Sequence, residues 1–419
     1  MKILYISPQE KGKEDIPPFE FMNIFGLPVE YEVRLFDENS QVNLFNNLKL
    51  NTIQYNPDII FFLGKSIKSY KKIKEYSLLL DSLNKPQVLI GDLSVAYDSI
   101  LKNTGIDAVI RKGFELFTPQ KILAQYEQSK KEFSVNNLFL RDKYGKVLFT
   151  GIKQEEFDFD KVPFPNYDLI NMNYYLNKLK RNNYSSFEIF SSIGCTGLCT
   201  FCINRVSRVK RHSIEYVLDQ MSYLKERYGV NFINFGDPSF TSDLNWTKKF
   251  IRELGRRDLN ISYKIYGART DQVNKEILQG LKNTGCKSIY FGFESASQNQ
   301  LVSIKKNVSV EQNLEALLVA KELGIETPIQ IITGLPNEDI AELKTTISIL
   351  KINGFKVSKD KVRLLLPQPN TPIYSQFFSN GVIKNEEEYL LSLSDLDTRN
   401  IWRPELNSHL ENIIMEINS

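Results

Sequence analysis

Three of the four cysteines in the chain lie within one eight-residue window, at Cys195, Cys199 and Cys202 in the segment SSIGCTGLCTFC. A short loop that carries glycines lets three thiolates converge on one metal centre, because glycine lowers the steric cost of a tightly wrapped backbone. A disulfide framework is disfavoured, since three is an odd number and nothing in the sequence indicates an oxidising compartment. The spacing therefore favours a metal site over three cysteines that merely pack as small apolar residues.

The number of candidate ligands distinguishes a structural zinc site from a four-iron cluster. A structural zinc site needs four cysteine or histidine ligands, and His212, ten residues past Cys202, stays open as the fourth. Three thiolates on a four-iron cluster instead leave one iron open to a substrate or cofactor. That asymmetry indicates catalysis rather than electron transfer.

The pattern Cys-x3-Cys-x-aromatic-Cys, with Phe201 before the third cysteine, resembles the signature of the radical S-adenosylmethionine (radical SAM) superfamily. The resemblance implies that Cys195, Cys199 and Cys202 hold a 4Fe-4S cluster whose open iron chelates the amino and carboxylate groups of S-adenosylmethionine (SAM), with Phe201 in the cofactor site. It also implies that an electron from a donor such as flavodoxin or ferredoxin enters the sulfonium, breaks a C–S bond and gives a 5'-deoxyadenosyl radical.

Two later segments extend this resemblance. Residues 232–240, FINFGDPSF, resemble the second-strand segment beside the methionine moiety of SAM. The match implies cofactor contacts for Gly236 and Asp237, with Asp237 accepting from the ammonium group, although a turn residue before proline also has a purely structural interpretation. Arg269, at the end of the third predicted barrel strand, either holds the cofactor carboxylate or pairs with Asp271 at the barrel rim.

Further matches lie at the ends of later strands. Glu294 and Ser295 end the fourth barrel strand and are assigned by the resemblance to the cofactor site, with Glu294 binding ribose hydroxyls. Gly334 lies in a Gly-Leu-Pro turn like that of the family, where a glycine lets the backbone approach adenine. Asn370 replaces a family glycine in the turn after the sixth strand and tolerates the left-handed conformation nearly as well.

The elements that carry these residues alternate between strand and helix in two regions, which predicts an α/β protein. The first region predicts an N-terminal doubly wound (Rossmann-like) parallel sheet, with strands at 2–7, 58–63, 87–90 and 108–110. The second predicts a partial (βα)6 barrel of the TIM type, whose site lies at the carboxyl ends of strands at 187–191, 231–235, 261–266, 288–293, 329–332 and 362–366.

The predicted domains are a cobalamin-binding-like Rossmann domain at 1–126, a linker at 127–180, a radical SAM core barrel at 181–370 and a mostly helical C-terminal extension at 371–419. The linker contains a hairpin-like stretch that turns near Gly145 and a proline-rich segment at 161–170. The first domain resembles that of the radical SAM branch with an N-terminal cobalamin-binding domain, whose members usually methylate unactivated carbon or phosphorus.

The predicted corrinoid site departs from the pattern of that branch. No histidine precedes His212, so a corrinoid in the first domain would have no histidine ligand to its cobalt from that domain. Asp92 follows Gly91 where relatives have a second glycine, and a carboxylate there is an unfavourable neighbour for the phosphate of a corrinoid tail. Residues 111–115, RKGFE, replace the usual glycine-rich turn after the next strand.

Composition limits the partners. The 53 basic and 50 acidic residues among 419 leave a net charge of +3, which favours a small-molecule or peptide substrate over nucleic acid. There is no leader-like start and no apolar run of about 18 residues, so the sequence predicts a cytoplasmic protein with no membrane partner. Cys286 is predicted to be a buried structural thiol. The basic run 205–211 either binds an anionic substrate or begins a solvated helix.

These features together predict a radical SAM enzyme that cleaves SAM reductively at a 4Fe-4S cluster. The favoured reaction is cobalamin-dependent methyl transfer to a small or peptidic metabolite. One alternative is a cobalamin-independent radical SAM enzyme that uses its first domain as a scaffold for substrate or partner. The other is a non-enzymatic metal-binding module.

Overall fold

The computed structural model describes residues 1–10, 12–13, 16–18, 31–40, 47–129, 133–142, 144–153, 158–180, 184–205, 208–336, 338–357 and 362–395. Strands occupy Lys2–Ser7 (β1), Glu32–Asp37 (β2), Ile59–Leu63 (β3), Gln87–Ile90 (β4), Ala108–Ile110 (β5), Leu138–Arg141 (β6), Val147–Phe149 (β7), Ser186–Ile189 (β8), Ser192–Ile193 (β9), Lys210–Arg211 (β10), Phe232–Phe235 (β11), Ser262–Ala268 (β12), Cys286–Phe291 (β13), Ile331–Thr333 (β14) and Val362–Leu364 (β15). Helices occupy Leu48–Tyr55 (α1), Tyr70–Asp81 (α2), Tyr97–Asn103 (α3), Thr118–Ser129 (α4), Met172–Leu179 (α5), Ile214–Tyr228 (α6), Leu244–Arg257 (α7), Lys275–Asn283 (α8), Gln298–Ser303 (α9), Val310–Glu322 (α10), Ile340–Ile352 (α11), Pro372–Ser379 (α12) and Glu386–Asp395 (α13).

The chain folds as two compact units. The N-terminal unit contains Met1–Leu179 and the described part of the segment that begins at Phe378, and the barrel unit contains Lys180–Phe377. Within the described ranges, no helix is long and apolar enough to cross a membrane.

The N-terminal unit is built on a seven-stranded sheet in the order β2-β1-β3-β4-β5-β6-β7. β1 to β5 run parallel, and β6 and β7 add an antiparallel hairpin at one edge. All five side chains of β3, IIFFL, are buried, as expected for a central strand that is covered on both faces. The prediction of a doubly wound α/β fold is confirmed.

Two parts of this unit differ from the sequence-based expectation. β2 was not predicted: its first three residues, Glu-Val-Arg, are solvent-exposed or half-buried at the sheet edge, so the strand lacks a continuous apolar run. The predicted linker at 127–180 is corrected, because its hairpin pairs with β5 and belongs to the sheet. The ring of Phe139 in this hairpin stacks on Tyr97 of α3 with 3.7 Å between centroids, a contact that turn and proline signals do not reveal.

The barrel unit contains all six predicted strands. β8, β11, β12 and β13 form a parallel sheet in the order β13-β12-β11-β8, and β14 and β15 form a parallel pair. Two isolated bridges, Ser288 to Glu326 and Glu294 to Ile331, continue the sheet from β13 toward β14. The prediction of a partial barrel is therefore confirmed.

The helical coat covers one face of this barrel sheet. Phe235 of β11 packs edge-on against Phe250 of α7, with 5.6 Å between ring centroids, and Tyr263 of β12 lies 5.9 Å from the same ring. Residues that alternate with these along the strands face the interior of the barrel.

The described part of the C-terminal extension contains two helices, α12 and α13, which are joined by residues 380–385. α13 belongs to the N-terminal unit, although it follows the barrel in sequence. The predicted packing residues of the tail beyond residue 395, including Trp402, lie outside the described residues.

Candidate active site

The cysteine loop, residues 194–205, leaves the carboxyl end of the first barrel strand. β9 and β10 pair antiparallel and close the base of the segment that contains the loop. Gly194 has φ +88°, a conformation that favours glycine. The backbone N–H of Thr200 donates to the carbonyl of Ile304 (2.9 Å), and that of Ile373 donates to the carbonyl of Thr200 (3.2 Å). Both bonds are made by Thr200, and they anchor the loop to the residue that follows α9 and to the first turn of α12.

Two thiols receive backbone N–H groups within this loop. The N–H of Gly197 points to Sγ of Cys195 at 3.3 Å, and the N–H of Asn204 points to Sγ of Cys202 at 3.4 Å. A Cβ on Gly197 would lie 3.2 Å from Sγ of Cys195 and 3.9 Å from Sγ of Cys199. Gly197 therefore leaves space between two of the sulfurs that a larger residue would fill.

The three thiols interact electrostatically. Burial raises the pKa of Cys199, and it raises the pKa of Cys202 to about 11, with the neighbouring thiolates adding to both shifts. Positive charge on Lys306 and Arg269 acts in the opposite direction on Cys199. The sulfurs thus share one environment, in which a cationic metal centre would stabilise the thiolate forms.

The donor set suits a multinuclear centre better than a single ion. Among the described residues, no three Cys, His, Asp or Glu side chains surround one point closely enough to hold a single metal ion. The ring of His212, the candidate fourth zinc ligand, stacks on Tyr216 with 3.7 Å between centroids. Three thiols on one loop match the three thiolate ligands of a 4Fe-4S cluster with one open iron.

A buried ion pair lies beside the thiols and was missed by sequence reasoning. Lys306 and Glu294 are 5% and 8% exposed, and their charged atoms are 3.0 Å apart. Burial alone would lower the pKa of Lys306, but Glu294 and Cys199 raise it, and the net shift is upward. The sequence indicated Glu294 through a motif at the end of a strand. Lys306 lies in a short loop after α9 that matches no motif, so the sequence alone did not indicate it.

Glycine at position 292 makes room for this pair. A Cβ there would lie 2.4 Å from Nζ of Lys306 and 2.8 Å from Oε1 of Glu294. Glu294 itself has φ +64°, an uncommon conformation for a residue with a side chain. The backbone at the end of β13 is thus shaped to bring Glu294 and Lys306 together.

Arg269 makes one of its two predicted contacts in this structure. Its Nε and Nη2 donate to the two carboxylate oxygens of Asp271, each at 2.9 Å, and Nη2 also donates to the carbonyl of Lys306 at 2.8 Å. Nη1 would be 3.4 Å from a Cβ on Gly197, so the guanidinium also borders the cysteine loop. Its predicted contact with a cofactor carboxylate stays a prediction.

Asp237 joins the second strand to Ser191 and Ser192, which lie just before the cysteine loop. The side chain is 1% exposed. It accepts from the backbone N–H of Ser191 (3.0 Å) and from the hydroxyls of Ser191 (2.6 Å) and Ser192 (2.5 Å). Burial raises the pKa of Asp237 against the opposing effect of these bonds and of Arg211. Both oxygens of Asp237 accept hydrogen bonds from Ser191 or Ser192, so a contact of Asp237 with an ammonium group stays a prediction.

The remaining predicted cofactor residues are dispersed. Ser295 is buried and its hydroxyl lies 3.3 Å from that of Thr346 on α11. A Cβ on Gly334, which has φ +81°, would lie 2.6 Å from Cδ1 of Leu364, so the turn packs closely on β15. A Cβ on Gly236 would lie 2.6 Å from the ring of Phe190. Phe201 is half-buried in the cysteine loop.

Two other features receive structural explanations. Cys286 is fully buried, and burial raises its pKa to about 12, as fits a structural thiol. Arg211, in the basic run, donates to the carbonyl of Ser239 (3.2 Å) and to the hydroxyl of Ser242 (2.9 Å) and lies over the ring of Trp246. This arginine therefore holds loops together and does not begin a solvated helix.

Comparison with known proteins supports the resemblance to the radical SAM superfamily that the cysteine loop indicates. Residues 189–350 match the family model "Radical SAM superfamily". The uncharacterized methyltransferase PH0819 of Pyrococcus horikoshii is 25% identical over 360 residues, which are 84% of this chain and 76% of that protein.

Two solved structures share the fold over most of the chain. One is the radical SAM methyltransferase TsrM from Kitasatospora setae with cobalamin and a 4Fe-4S cluster bound (TM-score 0.77, 15% identity, 92% of this chain and 79% of that chain). The other is the cobalamin-dependent SAM radical enzyme OxsB with aqua-cobalamin bound (TM-score 0.69, 18% identity, 93% of this chain and 56% of that chain). The radical SAM fold implies a 4Fe-4S cluster and SAM as cofactors. Residues 189–350 therefore match a radical SAM domain, and this match together with the methyltransferase relative supports an enzyme.

Proposed function

We propose that this enzyme transfers a methyl group from SAM to a small or peptidic metabolite and that it does so with cobalamin. The observation that carries the proposal is the shared fold with TsrM over 92% of the chain, which includes both the barrel and the N-terminal unit. The name of the relative PH0819, a methyltransferase, supports the same reaction class. A SAM molecule that donates its methyl group leaves S-adenosylhomocysteine, whereas a second SAM molecule that is cleaved reductively gives methionine and 5'-deoxyadenosine, so the two products report the two reactions separately.

In this proposal Cys195, Cys199 and Cys202 hold the 4Fe-4S cluster. The bound cluster supplies the electron that cleaves the sulfonium of SAM. Gly197 keeps space open between the sulfurs, and Asp237 fixes the start of the loop through Ser191. The protein would therefore contribute a loop whose backbone is held by hydrogen bonds to neighbouring barrel elements.

The charged groups beside the thiols are the proposed SAM contacts. Arg269 and Lys306 are the cations whose charge acts on Cys199, and a zwitterion that binds the open iron needs a cation near its carboxylate. Glu294 is proposed to accept from ribose hydroxyls, as the sequence predicts, while Lys306 balances its charge. Gly236 and Gly334 are proposed to let the cofactor approach the backbone.

Cobalamin is proposed to lie at the carboxyl edge of the sheet in the N-terminal unit. The turns there carry Gly64, Gly91 and Gly113, and a Cβ on Gly91 would lie 2.8 Å from the carbonyl oxygen of Gly64. Nζ of Lys112 lies 2.5 Å from Oδ1 of Asp92, so a lysine offsets the carboxylate that the sequence places near a corrinoid phosphate. This pairing offsets the repulsion that Asp92 alone would exert on a corrinoid phosphate.

Reconstitution under anaerobic conditions tests both cofactors. The protein is loaded with iron, sulfide and hydroxocobalamin, and we expect about four iron atoms and about one cobalt atom per chain. Incubation with SAM and a reductant should then release 5'-deoxyadenosine. Cys199→Ala should lose iron and SAM cleavage but keep cobalt, whereas Cys286→Ala, the matched control, should keep iron and cobalt.

Other outcomes decide between the alternatives. Iron and SAM cleavage without cobalt would exclude cobalamin and favour an N-terminal unit that serves as a scaffold. About one zinc atom per chain with no iron would overturn the radical SAM proposal.

A further inference from the structure

A row of polar side chains crosses the interior face of the barrel sheet. Glu188 on β8, Asn234 on β11, Lys264 on β12 and Ser288 on β13 are in-register neighbours. Neighbouring residues of parallel strands point to the same side of a sheet. We refer to these four residues as the interior row.

The interior row faces away from the helices. The residues next to it along the strands, such as Phe235 and Tyr263, pack on α7, so the row itself points into the barrel. An acid, a base, an amide and a hydroxyl at one level are unusual for a barrel interior, which is ordinarily filled with branched apolar side chains. The row therefore requires an explanation beyond packing.

Two members of the row contain buried oxygen atoms without a hydrogen-bond partner. Asn234 is 2% exposed and Ser288 is 5% exposed, and Oδ1 of Asn234 and Oγ of Ser288 have no partner among the described residues. An unsatisfied buried polar atom costs about 1–3 kcal/mol. A ligand in the barrel interior would supply the missing hydrogen bonds of these two neighbouring side chains.

The level above the row combines aromatic rings with a gap. Tyr266 and Tyr290, two residues beyond Lys264 and Ser288, have ring centroids 5.0 Å apart, and Tyr266 is 39% exposed. Oε1 of Glu188 would lie 3.0 Å from a Cβ on Gly236, so this carboxylate extends toward the carboxyl end of the strands. Charged groups and aromatic surface are thus adjacent on the open side of the barrel.

We propose that the interior row binds a free α-amino acid, with Glu188 contacting the ammonium group and Lys264 contacting the carboxylate. Strands are about 4.8 Å apart, so the backbones of β8 and β12 are separated by roughly 10 Å, with β11 between them. That span accommodates a small zwitterion between the two charges, and Asn234 lies at its middle. The tyrosine pair then contacts the amino-acid side chain. This inference rests on the proposed function, for which it names the substrate class.

The test measures binding directly. The reconstituted enzyme, saturated with SAM, is titrated by calorimetry with each of the twenty L-amino acids. For those that bind, the amino alcohol, which lacks the carboxylate, and the N-acetyl derivative, which lacks the charged amine, are titrated as well. At least one amino acid should bind saturably, with each derivative weaker by about tenfold or more.

Two variants assign the contacts. Lys264→Met should weaken binding of the amino acid about tenfold or more and remove its preference over the amino alcohol, and Glu188→Gln should remove the preference over the N-acetyl derivative. Lys287→Met and Glu226→Gln replace exposed residues of the same unit and should change neither preference. Circular dichroism melting checks that all four variants fold.

The proposal is overturned if none of the twenty amino acids binds, or if both preferences survive in the variants. It is also overturned if Lys264→Met and Glu188→Gln weaken SAM instead, since the row would then belong to the cofactor site. SAM cleavage without substrate, measured as 5'-deoxyadenosine, is expected to persist in the control variants Lys287→Met and Glu226→Gln. Its absence from the wild type would refute the proposed function, and not the amino-acid site alone.

Discussion

The buried ion pair of Lys306 and Glu294 lies beside the thiols, and both of its charges act on Cys199. Two ions removed from water are stable only when each compensates the other, and the loss of one partner leaves an uncompensated buried charge. Lys306 also acts on Cys199 and, through its backbone carbonyl, holds Arg269. A substitution that disturbs this pair should therefore also weaken SAM binding.

Gly292→Ala tests this dependence without removing a charged group. The added methyl would overlap Nζ of Lys306 and crowd the carboxylate of Glu294, so the pair must separate. We expect the free energy of unfolding to fall by on the order of 2–4 kcal/mol, together with weaker SAM binding. Chemical denaturation and SAM titration of the reconstituted enzyme measure the two effects.

Gly255→Ala is the matched control, because its Cβ would have only an ordinary contact, 3.7 Å from Thr284. Gly255 lies within α7, where alanine should stabilise the helix by about 0.5–1 kcal/mol. Equal stabilities of the Gly292 variant and the wild type would show that the pair tolerates separation.

Asp107 in the N-terminal unit predicts a pH dependence of stability. Burial raises the pKa of Asp107, although its carboxylate accepts from the backbone N–H of Gln87 at 2.9 Å. In the window from the unfolded pKa, about 3.9, up to the raised native pKa, the native state binds more protons, so its stability falls as pH rises.

Asp107→Asn keeps an acceptor for Gln87 but has no proton to lose. Its melting temperature should exceed that of the wild type increasingly as pH rises through this window. The exposed Glu315, changed to Gln, serves as the control and should leave the wild-type pH profile in place, because Glu315 is not among the charges that act on Asp107. A constant difference between Asp107→Asn and wild type from pH 4 to 7 would contradict the expectation.

Residues with a fixed spacing were predictable, and residues brought in by the fold were not. Cys195, Cys199 and Cys202 lie in one short loop, so residues that are close in the sequence are also close in space. Lys306 lies beside the thiols because the loop after α9 accepts hydrogen bonds from Thr200 of the cysteine loop and from Arg269. Asp237 contacts Ser191 because β8 and β11 are neighbours. Those contacts depend on tertiary structure.

At the scale of elements, apolar runs identified the central strands, and edge elements were missed. Strands such as β3 are buried on both faces and read as continuous apolar segments. β2 and the hairpin of β6 and β7 lie at the two edges of their sheet, where one face or end is solvated and the pattern weakens. The hairpin was consequently assigned to a linker, although it continues the sheet.

Phe139→Ala tests whether the hairpin contributes to folding. The ring stacks on Tyr97 at 3.7 Å and on Phe149 at 4.8 Å, and its removal should cost about 2 kcal/mol of unfolding free energy. Tyr144, at the tip of the same hairpin, is 82% exposed, and Tyr144→Ala should stay within about 0.5 kcal/mol of the wild type. Similar effects of the two substitutions in chemical denaturation would support a linker after all.

At the scale of the whole molecule, the order of elements in the sequence does not follow the order of the units. After the barrel, the chain returns to the N-terminal unit through α13, which contacts α2 and α3. Glu387 accepts from the hydroxyl of Tyr70 and pairs with Lys74, and Glu386 accepts from Ser99 at 2.7 Å. A sequence pattern identifies such a helix but not the unit on which it packs.

Leu390→Ala tests whether α13 stabilises the N-terminal unit. Leu390 is fully buried, so its truncation leaves a cavity and should cost about 3–5 kcal/mol. The cost falls on the unit that contains the cavity, because separate units open with their own free energies. Amide hydrogen exchange in α2 and α3 should therefore accelerate, while exchange in α7 of the barrel should be unchanged.

Val382→Ala is the control for this variant, since Val382 lies shortly before α13 and is 49% exposed; its exchange pattern should match the wild type. Equal acceleration in α7 would mean that the two units unfold as one cooperative body. No acceleration in α2 would mean that the N-terminal unit is stable without the packing of α13. Only faster exchange that is confined to the N-terminal unit supports the prediction that α13 stabilises that unit.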